Sequence, residues 1–213
     1  MNHDFELMDL QVKAFVAKLA SGDPAPGGGS TAALSLCLGA ALVQMVCSLT
    51  MGRKKYADFE DLMNDIRERA KLLANDAQIL VQTDTDAYNG IVAAYALPKD
   101  SDTEKTVRKN AILEATLNAI KVPQTTAHHS LRLYEMALQV LEFGNSNAAS
   151  DSLVAAHMAM AAGLGALANI KINLSGLKDE EEIAKYEHEC QSIEETLHQY
   201  NEKALILGKV RIG

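Results

Sequence analysis

Pro24-Ala25-Pro26-Gly27-Gly28-Gly29-Ser30 runs straight into an uncharged segment that extends from Thr31 to Met51. This pairing of a backbone-rich loop with a long apolar stretch decides the reading of the chain. Three successive glycines carry no Cβ to hold a ligand away from the main-chain N–H groups. Ser30 is positioned to cap the helix that follows, leaving first-turn N–H groups and their partial positive charge aimed at whatever occupies the loop. A carboxylate, a carbonyl or a developing anion suits such a terminus. No Gly-Lys-Ser/Thr follows and no strand precedes it, so a nucleotide loop of the Walker or Rossmann kind does not fit. A flexible connector is the structural alternative.

Working outward, the chain reads as helix throughout. The expected fold is all-α, an antiparallel helical bundle of about seven helices with two low-charge helices at its centre. One domain, 1–213, accounts for the 213 residues. The first helix is expected from about Asp4 to Ala20 and the second from Thr31 to Thr50. A third, from near Asp58 to Leu97, is long enough that a kink is expected between Thr83 and Gly90. Ser101-x-x-Glu104 is a capping box that opens the fourth, which is expected to stop before Pro123. The fifth runs from Pro123 to Gly144, Ser150-Asp151 caps the sixth to about Asn173, and the seventh spans about Asp179 to Leu207.

Composition narrows the function. Hydrophobic residues make up 48%, aromatics 5%, and there is no Trp, which describes a helical core built from Ala, Leu and Met. A net charge of −8 argues against nucleic-acid binding, which rests on clustered Lys and Arg. Arg53-Lys54-Lys55 is the local exception. Three cysteines, Cys37, Cys47 and Cys190, make no disulfide framework, and with no signal-peptide pattern at Met1-Asn2-His3-Asp4 a cytoplasmic protein is expected. The uncharged segment is long enough to span a bilayer. Its small and polar residues, among them Ser35, Gly39, Gln44 and Ser48, read instead as the centre of a bundle, so no membrane association is expected.

Two further stretches offer chemistry. Gln82-Thr83-Asp84-Thr85-Asp86-Ala87-Tyr88 sets two carboxylates in a helical run that is turning apolar. Asp84 is read as part of an exposed polar turn, whereas Asp86, followed by Ala87, Tyr88, Ile91 and Val92, is read as the functional carboxylate. Gly144-Asn145-Ser146-Asn147-Ala148-Ala149-Ser150-Asp151 presents Ser150 and Asp151 at a helix mouth, with ordinary capping as the alternative. Asn169 and Asn173, four apart, share one helix face. The six histidines and three cysteines do not fall at ligand spacings, so neither a metal nor a redox cofactor is expected.

Together these blocks resemble the formiminotetrahydrofolate cyclodeaminase and methenyltetrahydrofolate cyclohydrolase family. The matching residues are Pro24 to Ala33, Asp86-x-Tyr88 with Ala96-Leu97-Pro98, Gly144-Asn145 with Ser150-Asp151, and the run Asn169 to Leu174. The likeness covers nearly the whole chain in order, without the formiminotransferase domain of the animal enzymes. It implies a free-standing bacterial-type enzyme, a homodimer with a tetrahydrofolate derivative in a cleft and no other cofactor. On that reading Asp86 or Asp151 would move protons, and Gly27, Gly28, Gly29, Ser30, Tyr88, Asn145, Ser150 and Asn169 would hold substrate. Lys54 or Lys55 would meet the glutamate tail. A separate chain has no transferase beside it to supply formiminofolate, which favours the cyclohydrolase reaction. The cyclodeaminase reaction and a non-catalytic folate-binding module are the alternatives.

Overall fold

The computed structural model describes residues 6–213. Six α-helices follow one another: α1 Val12–Leu19, α2 Gly28–Thr50, α3 Glu60–Tyr95, α4 Asp102–Phe143, α5 Ala149–Leu174 and α6 Glu180–Ile212. Short 3-10 turns at Leu7–Asp9, Lys54–Phe59 and Ser146–Ala148 link them, and no strand occurs among the described residues. The all-α bundle is as expected. The expected first helix is shorter, because Leu10 and Gln11 are extended between the first 3-10 turn and α1. Asp4 and Phe5, where that helix was expected to begin, lie outside the described residues.

The count is six because α4 passes through Pro123 without stopping. Proline has no N–H, so the carbonyl four residues earlier loses its helical partner. That carbonyl belongs to Ala119, and the Asn173 side chain of α5 donates to it at 2.8 Å. The tertiary donor makes good what the proline removes, which no local sequence signal discloses. Likewise α3 runs unbroken over 36 residues with no kink at Thr83 to Gly90. The capping box at Ser101 and Glu104 forms as expected.

Antiparallel α2 and α5 are the central pair, in keeping with their small, uncharged sequences. Ala32 faces Gly165 near one end, and Gly39 faces Met158 and the Ala155 carbonyl near the middle. A Cβ on Gly39 would come within 2.7 Å of Leu133 in α4, so that glycine sets how closely three helices approach. Leu36, Val43, Met63, Ile66, Leu133, Tyr134 and Leu197 are fully buried around this contact. Each such side chain contributes about 2 kcal/mol by leaving water. By length and composition both α2 and α5 could cross a membrane. Here each turns one side to the core and leaves the other open.

The candidate active site at the glycine-rich turn

The site is built where α2 begins. Gly27 takes the N-cap position and gives no side-chain cap, and α2 starts at Gly28 rather than after Ser30. Ser30 is therefore inside the first turn and buried. Its hydroxyl donates across to Asp84 Oδ2 of α3 at 3.0 Å and lies 3.2 Å from Thr85 Oγ1. The Ser30 backbone N–H also bonds Asp84. A carboxylate from another helix thus does the capping that the sequence reading gave to Ser30. Thr31 Oγ1 donates to the Gly27 carbonyl at 2.8 Å and fixes the turn.

Asp84 and Asp86 exchange the environments expected of them. Asp84 is half-buried and Asp86 is exposed, its Oδ1 accepting from Gln82 Nε2 at 2.9 Å. Two residues apart on a helix project about 200° apart, so only Asp84 faces α2. Alternation of polar residues in a helix of uncertain phase hides this, and the Ser30 contact, 54 positions away in sequence, decides it. Burial raises the Asp84 carboxyl above the usual carboxylate range, against the lowering effect of the Ser30 hydrogen bonds. Gly29 is what admits it: a Cβ there would sit 2.0 Å from Asp84 Oδ1. Tyr88, one turn beyond Asp84, shares its face of α3 and is partly exposed.

Asn169 of α5 closes the other side. Its Nδ2 donates to the Gly165 carbonyl at 2.8 Å and lies 3.4 Å from the position a Gly28 Cβ would take. On the outer side of the same turn is a groove of about 460 Å³, walled by Pro26, Gly27, Gly28 and Thr31 with Ala161 and Gly165 of α5, and with Asp23 at its rim. It holds no Lys or Arg among its lining residues. The gathered cations of this end line a separate hollow of about 630 Å³ beyond Tyr95, with Lys99, Lys105, Arg108, Lys109 and Lys178 around it.

The remaining expected site residues are not here. Lys54, Lys55, Asn145, Ser150 and Asp151 lie at the far end of α2, and a helix of 23 residues puts them roughly 33 Å from Gly28. Asn145 is buried and occupied: its N–H donates to Thr50 Oγ1, its Nδ2 to the Leu49 carbonyl, and its Oδ1 accepts from Asn147 N–H. It caps the C-terminus of α2 and positions the next loop, at the opposite end of α2 from the glycine turn. Ser150 is exposed on α5, and Asp151 is half-buried in that helix's first turn.

Tyr56, which the sequence reading passed over, joins this cluster. Its hydroxyl accepts from Ser146 N–H at 3.0 Å and lies 3.2 Å from the Ser146 hydroxyl, with Lys55 Nζ 5.2 Å from the ring centroid. The Ser146 hydrogen bonds lower the phenol to about 8. Tyr134 and Tyr200, by contrast, are pushed by burial up to about 12. Spectrophotometric titration should show a phenolate appearing near pH 8 that is absent from Tyr56→Phe. A titration unchanged by that substitution would contradict the assignment.

An all-helical bundle in which a glycine turn meets a partly buried carboxylate offers groups that could hold and move a proton. The chain belongs to the formiminotransferase-cyclodeaminase family, which it matches over residues 11–192. It is 38% identical over 168 residues to a methenyltetrahydrofolate cyclohydrolase of Methylorubrum extorquens, covering 79% of this chain and 81% of that protein. It is 30% identical over 204 residues to the formimidoyltransferase-cyclodeaminase of Rattus norvegicus, covering 96% of this chain but 37% of that longer protein. The crystal structure of a formiminotetrahydrofolate cyclodeaminase from Thermotoga maritima superposes with a TM-score of 0.86 at 26% identity, covering 98% of this chain and all of that one.

Proposed function

We propose that this chain is a methenyltetrahydrofolate cyclohydrolase, hydrolysing 5,10-methenyltetrahydrofolate to 10-formyltetrahydrofolate. The observation that carries the chemical part of this reading is Asp84, a carboxylate raised by burial and held against a helix N-terminus by Ser30. The relative from Methylorubrum extorquens supports the choice of reaction, since this chain matches most of its length. The animal relatives, of which the chain spans about a third, support cyclodeaminase chemistry as the second reading.

The reaction needs few groups. Water adds to the cationic carbon between nitrogens 5 and 10, and Asp84 accepts one of its protons as the C–O bond forms. In the tetrahedral intermediate nitrogen 5 takes a proton from the carboxyl as its bond to carbon breaks, leaving the formyl group on nitrogen 10. The second proton of the water is released. First-turn N–H groups at Gly28 and Gly29 can stabilise negative charge that develops on oxygen, and an ionised Asp84 also offsets the cation it faces. In the cyclodeaminase reaction nitrogen 10 replaces water as nucleophile and ammonia departs from the same carbon, so the two reactions call for the same groups.

The test follows the methenyl chromophore in both directions. Decay of supplied methenyltetrahydrofolate well above the uncatalysed rate supports the cyclohydrolase. Its appearance from 5-formiminotetrahydrofolate, with ammonia released, would move the assignment to the cyclodeaminase. Turnover should also fall as pH drops through a value above the usual carboxylate range, because Asp84 must be ionised to accept a proton and burial raises its pKa. An acid limb unaltered in Asp84→Asn would remove Asp84 from that role. We further propose that the reaction uses no metal. Among the described residues no three His, Cys, Asp or Glu side chains cluster in a way that could hold one, and chelation should leave the rate unchanged. Loss on chelation, restored by one particular metal, would overturn this. A cytoplasmic homodimer is part of the same proposal.

A further inference from the structure

The cations of this acidic chain are unevenly distributed. Its net charge is −8, yet five of its 20 Lys and Arg residues surround one hollow of about 630 Å³, where the end of α3, the start of α4 and the α5–α6 loop meet. Lys99, Lys105, Arg108, Lys109 and Lys178 line it together with two carboxylates, Asp179 and Glu182. Asp179 is engaged elsewhere, since its Oδ1 accepts from the Glu181 and Glu182 N–H groups and caps α6. Lys105 pairs with Asp102 at 2.9 Å, an exposed contact of little strength. Among the described residues, Lys99, Arg108, Lys109 and Lys178 have no carboxylate at ion-pair distance. Such a placement does not serve the fold. Lys105, Arg108 and Lys109 fall within the first eight residues of α4, at the end where a helix dipole favours anions, and Lys105 repels Lys109 one turn on. The N-terminus of α4 is closed by its own capping box, so it is these side chains that the hollow offers to an anion.

The rest of the wall is apolar. Tyr95, Ile112, Leu113 and Leu177 form it, with Tyr95 55% and Leu113 47% exposed. Arg108 is held in place before any ligand arrives. Its Nε and one terminal nitrogen donate to the Tyr95 carbonyl, an unpaired group at the end of α3, at 3.3 and 3.1 Å, and its guanidinium carbon lies 5.4 Å from the Tyr95 ring centroid. The other terminal nitrogen is left to meet an oxyanion. Tyr95 lies three turns beyond Asp84 on α3, roughly 16 Å away, so the hollow is separate from the glycine turn.

We propose that this hollow is a second binding site, for a nucleoside polyphosphate. Its volume falls within the range of about 300 to 1,000 Å³ that small-molecule sites occupy. The excess of cations suits the several negative charges of a di- or triphosphate, and the free nitrogen of Arg108 bonds a phosphate oxygen. The base stacks on the exposed Tyr95 and packs against Ile112 and Leu113, surface that an inorganic anion would leave bare. A γ-linked glutamate chain would match the charge but not this flat apolar wall, which is what decides for the nucleotide.

Calorimetric titration of the full chain with ATP, in the absence of folate and divalent cations, reads this directly. One ATP should bind per chain, with affinity falling from ATP to ADP to AMP and falling again as salt is added. Tripolyphosphate should bind at least about 5-fold more weakly than ATP, because it has no ring to stack. Tyr95→Ala should weaken ATP about 5- to 100-fold and leave tripolyphosphate unchanged, a distinction that loss of structure would not produce. Replacing Lys105→Gln together with Lys109→Gln should weaken both ligands at least about 10-fold while folate turnover stays at the wild-type rate. Both lysines are exposed and repel each other, so the neutral pair should fold as well as the wild type. No binding of ATP, tripolyphosphate binding as tightly as ATP, or a γ-linked tetraglutamate peptide binding more tightly than ATP would overturn the proposal. So would a doubly substituted protein whose only defect is a raised KM for a polyglutamylated folate, since the hollow would then be part of the substrate site. If ATP binds as described but the wild type turns over neither folate, the folate reading fails and the nucleotide site stands.

Discussion

Asp84→Asn is expected to lower turnover about 100-fold or more while leaving the fold intact, the scale on which a general acid or base acts. The amide keeps an oxygen for the Ser30 hydroxyl and N–H to bond, so the cap on α2 survives. Burial, the larger influence on Asp84, disfavours its charged form, so ionisation at neutral pH costs stability and a neutral amide relieves that cost. The melting temperature should therefore hold or rise as activity falls. Asp86→Asn is the control. That carboxylate is exposed and bonded to Gln82, and its loss should change the rate less than about threefold. Equal losses at the two positions, or a larger loss at Asp86, would return the catalytic role to Asp86.

Gly29→Ala is expected to impair the enzyme almost as severely, by a different route. The added methyl would lie 2.0 Å from Asp84 Oδ1 and 2.5 Å from its Cγ, far inside contact distance. Asp84 must swing away or α2 must lift from α3, and either movement separates the carboxylate from Ser30. Turnover should fall at least 100-fold, and stability by about 1 to 3 kcal/mol from overpacking, visible as a lower melting temperature. Gly28→Ala meets only Asn169 Nδ2 at 3.4 Å, an ordinary contact. It should fold normally, and a larger side chain there, as in Gly28→Val, should weaken substrate binding more than stability. Reversal of this order between positions 28 and 29 would mean that the turn is not held against Asp84 as described.

The contrast between these neighbours marks how far sequence carries. Helical class and the central pairing of α2 with α5 were legible, because apolar periodicity and small-residue content are local properties. The break expected at Pro123 and the cap assigned to Ser30 were not. Each was overridden by one side chain from elsewhere, Asn173 in the first case and Asp84 in the second. The environments expected of Asp84 and Asp86 were reversed for the same reason, since they turn on helix phase relative to a partner 54 residues away. The second polar block was recognised as a unit, and Tyr56 belongs to it. Its distance from the glycine turn follows from the length of α2, which could have been read from the uncharged run and the rise per residue.

The glycine turn and Asp84 are the proposed place where the folate one-carbon bridge reacts. A crystal structure of the protein with 10-formyltetrahydrofolate bound tests that most directly. The formyl carbon is expected beside the Gly28–Ser30 turn, with Asp84 within hydrogen-bonding reach of nitrogen 5 or of a water next to it. A ligand whose one-carbon group sits elsewhere, for example in the Lys99–Arg108–Lys178 hollow with the glycine turn empty, would contradict it.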